Sequence, residues 1–175
     1  MLTDRMLRAA KLEPGLYEEV EQDVGATSQA LTVVIIVAVA TGIGAALGRV
    51  VAGSPSGLIG GLLSGIIGAL IGWLIWSLLT YFIGTSLFGG TATYGELLRT
   101  IGFANSPGVL NILSFIPILG GFIALLVAIW TLVAGVVAIR QALDFDTGKA
   151  ILTAVVGWLI MVVLTLVIGA LGLIF

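Results

Sequence analysis

The sequence predicts an all-α polytopic integral membrane protein, a compact bundle of five transmembrane helices with short interfacial helices at its N-terminus. Three observations predict it. The chain of 175 residues is 59% hydrophobic and 9% charged, with a mean hydropathy of +1.25, whereas soluble domains carry roughly 25% charged residues. Its apolar residues fall into uncharged runs of about 20, the length that crosses a hydrocarbon core about 30 Å thick. Its 25 glycines recur at helical spacing inside those runs, as close helix–helix approach in lipid requires.

The composition also excludes chemistry. The chain has no cysteine and no histidine, so thiolate sites and the commonest general base and metal ligand are missing. A formal charge of −2 with scattered cations gives no footprint for nucleic acid. No cofactor is expected.

Residues 1–27 are expected to form cytoplasmic, interfacial helices, and charges out to Asp23 distinguish them from a signal peptide. Leu2, Met6, Leu7 and Ala10 share one face opposite Arg5, Arg8 and Lys11, a pattern suited to a helix lying in the interface; a frayed terminus is the alternative. Glu13-Pro14-Gly15 interrupts it, and Pro14 is placed to start a second helix. Tyr17, Val20 and Val24 recur at helical spacing opposite Glu18, Glu19 and Asp23. That carboxylate row reads as a solvated helix face rather than a metal site.

Residues 28–175 form the predicted membrane domain, with spans at about 28–48, 58–83, 97–117, 118–139 and 150–174. The first ends just before Arg49, and the short connection from Val51 to Gly57 makes the first two spans an antiparallel hairpin. The second carries two ridges of small residues, Gly57, Gly61, Gly65 and Ala69 beside Gly60, Ser64, Gly68 and Gly72. Ala38, Gly42 and Ala46 on the first span, with Gly44 and Gly48 beside them, are their expected packing partners, and a homodimer face is the alternative. Trp73, Trp76, Tyr81 and Phe82 fit an aromatic belt at the far end. Thr93 and Glu96 have the spacing of a capping box, opening a helix that runs into the stretch from Ile101 to Pro117. This run is broken by Asn105, Pro107 and Asn111, and spans the membrane only if Arg99 snorkels. Pro107 then needs neighbouring helices to protect the backbone groups it frees.

Charge decides whether that stretch crosses. If it does, with the N-terminus inside, Arg5, Arg8, Lys11, Arg99, Arg140 and Lys149 lie inside and only Arg49 lies outside. Short loops favour Lys and Arg on the cytoplasmic side. Five spans follow, with the N-terminus cytoplasmic and the C-terminus outside.

No acid or base lies within the spans, which argues against proton- or ion-coupled transport and against intramembrane serine chemistry, which needs a base partner. Asn105 and Asn111 are the polar residues at depth. Hydrogen bonding between helices and to carbonyls freed by Pro107 accounts for them more simply than a ligand site does. Arg99 and Arg140 with Asp144 suggest a cluster on the cytoplasmic face, near Lys149.

The order of features resembles the Yip-one domain family of five-span membrane proteins. The resemblance rests on the opening from Leu12 to Glu21, on Gln29-Ala30, on Tyr94 to Arg99 with Gly102-Phe103-Ala104 and Pro107, and on Ile129-Trp130, Ala138-Ile139-Arg140 and Thr147 to Ala150. It implies five spans with a cytoplasmic N-terminus, and in eukaryotic members interaction with Ypt/Rab GTPases during vesicle traffic. Those members carry long cytosolic N-terminal regions with an Asp-Leu-Tyr-Gly-Pro type motif. Here about 27 residues precede the first span and that motif is absent, which argues against a GTPase partner and for a short, prokaryotic-like member of a cytoplasmic membrane. The expected role is a non-enzymatic scaffold or adaptor whose partners are lipids and other integral membrane proteins or itself. An accessory subunit of a larger complex and a passive permease are the alternatives.

Overall fold

The computed structural model describes residues 1–54 and 58–170, and every regular element among them is helical. Two short helices, α1 (Leu2–Ala10) and α2 (Pro14–Gln22), precede α3 (Ala26–Val51) and α4 (Leu58–Phe88). Then come α5 (Tyr94–Ala104), a 3-10 helix (Ser106–Phe115), α6 (Leu119–Ala142) and α7 (Thr147–Ala170). Four helices are long and apolar enough to cross a membrane: Ala26–Val51, Ile59–Phe88, Leu119–Ala142 and Thr147–Val167. The end of the last predicted span, 171–174, and Gly57 lie outside the described residues.

The stretch expected as a single third span is two pieces. α5 has 11 residues and the 3-10 helix has 10, so neither alone is long enough to cross. The break follows from Pro107, whose ring obstructs the preceding turn and whose missing N–H leaves the Phe103 carbonyl without its helical donor. The Ser106 hydroxyl donates to that carbonyl at 2.6 Å, while Asn105 Nδ2 donates to Ile101 O at 2.8 Å. A 3-10 helix rises about 2.0 Å per residue against 1.5 Å for an α-helix. The two pieces together therefore advance about 36 Å, close to the length of the 26-residue α3.

Their direction can be read from their register on α3. Arg99 Nη1 is 3.5 Å from Thr27 Oγ1, Gly102 packs against Ala30 and Gly108 against Val37. Asn111 Nδ2 donates to Thr41 Oγ1 at 3.4 Å, and Gly48 faces Phe115. The order is the same on both strands of contact, so α5 and the 3-10 helix run parallel to α3 from Thr27 to Gly48. Gly44 lies against Asn111 and Ser114. Gly44 and Gly48 of α3 thus serve the 3-10 helix, where the sequence suggested α4 as their partner. The turn into α6 places Ile118 at φ 69° and 99% exposed, a left-handed conformation that is costly for a β-branched residue.

α1 and α2 belong to the packed body. Ala9, Leu16, Tyr17 and Val20 are fully buried, the Tyr17 hydroxyl donates to Ala9 O at 3.3 Å, and Trp130 Nε1 of α6 donates to Ala10 O at 2.7 Å. Val24, expected on the apolar stripe, is 77% exposed, because α2 ends at Gln22 and the face turns away there; Leu16 takes the buried position. The acidic row is not simply solvated. Glu19 pairs with Arg5 at 2.8 Å and Arg8 at 2.6 Å, and Asp23 pairs with Arg5 at 2.8 Å.

Candidate functional site

Polar groups converge at two places, one at the junction of α2 with α5 and one beside the 3-10 helix. The first is organised by local sequence. Thr93 accepts from Glu96 N at 3.3 Å while Glu96 Oε2 accepts from Thr93 N at 2.8 Å, so the expected capping box starts α5. One turn later comes Arg99, which is only 6% exposed. It does not snorkel. Its Nε donates to Val20 O at 2.9 Å and its Nη2 donates to Glu21 O. These carbonyls close the last turn of α2, where a cation also complements the negative end of the helix dipole.

Glu21 sits in the same junction with one carboxylate oxygen buried and without a hydrogen-bond partner. Desolvation pushes its pKa up to about 7, and Glu18, Asp144 and Glu96 add to the rise. The Arg8 guanidinium, with that of Arg5, holds Glu19 below its usual range, and Arg5 does the same for Asp23. Arg140 and Asp144 do not join Arg99: Arg140 Nε donates to Gln141 Oε1 at 2.9 Å, and Asp144 accepts from the Thr91 hydroxyl at 2.8 Å. Gln141 in turn donates to Glu18. Lys149 Nζ is 3.5 Å from Phe88 O and 5.5 Å from the Phe145 ring centre. Among the described residues no three carboxylates are grouped as metal ligands.

The second site holds Asn105 and Asn111. Two cavities, of about 480 and 430 Å³, lie on either side of a partition that includes Thr41 and Asn105. The first runs between α3 and α4 along Gly61, Gly65, Ala69 and Gly72. The second, between α3, the 3-10 helix and α6, is lined by Asn111, Ser114 and Thr131. Trp73 is buried, with Nε1 donating to Leu98 O at 3.0 Å, so it belongs to the interior rather than to an interfacial belt. On the other ridge of α4, Gly60, Ser64 and Gly68 are exposed, and a Cβ at Gly60 or Gly68 would meet nothing within 4 Å. Gly42 does touch α4, against Leu62.

Sequence reasoning missed Ser106 as the group that satisfies the carbonyl freed by Pro107, although a hydroxyl directly before a helical proline is a readable signal. It also missed Glu21, whose surroundings come from three separate segments. The model of the Yip1 domain family matches residues 15–168. No curated protein and no solved structure matches the chain.

Proposed function

The chain belongs to the Yip1 domain family, and from that premise we propose that it is a non-enzymatic membrane scaffold that binds other integral membrane proteins side by side. The observation carrying this reading is the open ridge of α4. Gly60, Ser64 and Gly68 face outward with free space above them. In lipid, helices associate chiefly where small residues let backbones approach. A partner helix carrying small residues of its own would complete that contact.

The reading includes five crossings, with α5 and the 3-10 helix together as the third. Their combined rise and their parallel course beside α3 support this, as does the six-to-one distribution of cations that it produces. A crossing broken at Pro107 is admissible because Ser106 and the neighbouring helices shelter the freed backbone groups. The N-terminus and Arg140–Lys149 then face the cytoplasm. Reporter fusions within that loop and after the last span test the topology; a cytoplasmic C-terminus overturns it.

Affinity capture from native membranes, followed by native mass spectrometry, tests the scaffold. The wild type should carry stoichiometric membrane partners that Gly60→Leu/Gly68→Leu loses while its helix content and melting temperature are kept. Capture of lipid alone by the wild type would sink the scaffold reading.

A further inference from the structure

The cavity between α3 and α4 is not filled by the described residues. A Cβ at Gly65 or Gly72 would meet no atom within 4 Å, and the exposed Gly61 and Gly65 leave the cavity open laterally. Apart from Thr41, Asn105 and two indoles its wall is apolar, so water has few hydrogen-bond partners there. From Gly61 to Gly72 the helix rises about 16 Å, close to half of a hydrocarbon core about 30 Å thick, which is the reach of one leaflet's acyl chain.

The Gly61 end of the cavity carries a charge. Arg49 Nη1 lies 3.1 Å from the point a Gly61 Cβ would occupy. No ion pair engages Arg49 among the described residues. Between Asp23 and Glu96 the chain has no acidic residue, so α3 and α4 offer no counter-ion, and a second copy docking through the same helices would bring none either. A guanidinium at the mouth of an apolar slot matches an amphiphile with a phosphate head, which Arg binds through paired, charge-assisted hydrogen bonds.

We propose that this cavity is a phospholipid site, with the phosphate on Arg49 and one acyl chain lying along Gly61, Gly65 and Gly72 toward Trp73 and Trp76. It uses the ridge of α4 that borders α3, whereas the partner-binding ridge of Gly60, Ser64 and Gly68 does not line the cavity, so the two readings fail separately.

The test is photolabelling of the full chain in phosphatidylcholine vesicles doped with phosphatidylglycerol bearing a diazirine on its acyl chain. Label should concentrate on α4 between Gly61 and Trp76. Arg49→Gln should reduce it about tenfold, the scale of one lost charge-assisted hydrogen bond, and Gly65→Leu, whose side chain would occupy the slot, should also reduce it, both with unchanged melting temperature. Gly68→Leu should leave it intact. Label spread evenly over α6 and α7, or indifferent to both Arg49→Gln and Gly65→Leu, overturns the proposal. So does efficient Gly65→Cys cross-linking between two copies, which would give the slot to a second protein chain.

Discussion

At the scale of residues, Arg99 and Glu21 behave in ways that their local sequence does not announce. Arg99 reads as a snorkelling cation because its neighbours are apolar, yet its partners are carbonyls of Val20 and Glu21, 79 and 78 positions earlier. Backbone acceptors have no residue signature, so such a bond is invisible in a single sequence. The Thr93–Glu96 capping box was legible because both of its bonds close within three positions. Arg99→Gln should loosen α2 from α5 at a cost of about 2 kcal/mol for a lost charged hydrogen bond, read as a lower melting temperature and faster proteolysis before Ala26. Glu21 makes the same junction pH-dependent. Its folded pKa, about 7, lies above its ordinary value of 4.5. Its contribution to stability is therefore whole below pH 4.5 and is lost as pH rises to 7. Glu19 and Asp23, held low by Arg5 and Arg8, act oppositely and lose their contribution only in more acidic solution, below their ordinary values. Protection factors of the α2 amides, with the intrinsic pH dependence of exchange divided out, should accordingly be higher at pH 5.5 than at pH 8. Glu21→Gln should abolish the difference, and an unchanged pH response in that variant would show that another group is responsible.

Among the elements, the long apolar helices were legible from hydropathy, with ends displaced by a few residues. α4 continues past the expected end near residue 83 to Phe88, and there Gly84 fits against Leu143. The ten-residue 3-10 helix was not legible, since such runs seldom exceed four residues and periodicity over so short a stretch does not separate the two helix types. Pro107 and Asn111 marked the place but not the form. The stretched geometry predicts the effect of Pro107→Ala. If proline bars the α-helix, its removal lets the segment rewind and shorten by about 5 Å, pulling position 111 away from Thr41. A Thr41→Cys/Asn111→Cys pair should cross-link readily in the parent and poorly with Pro107→Ala. Equal cross-linking in both would mean that packing on α3, not proline, sets the stretch.

Over the whole molecule, composition alone revealed the all-helical membrane class, and the family match over residues 15–168 agrees with it. What composition could not reveal is that α1 and α2 are keyed into the bundle, because Leu16, Tyr17 and Val20 look the same on an interfacial helix as in a core. Nor could it show which ridge of α4 borders the cavity beside α3, since both glycine ridges have equal spacing and only the placement of α3 tells them apart. The bond from Arg99 to the end of α2 also has a consequence for how the protein is made. Synthesis delivers α2 long before residue 99, so α5 and α6, against which the first two helices mainly pack, do not yet exist while α3 and α4 are being inserted. Their anchor arrives only with α5. Ribosome-bound chains truncated before Tyr94 should therefore leave the N-terminal segment open to protease, and chains long enough to expose the whole of α5 and α6 should protect it. The first two helices are locked in place only after α5 and α6 have been made.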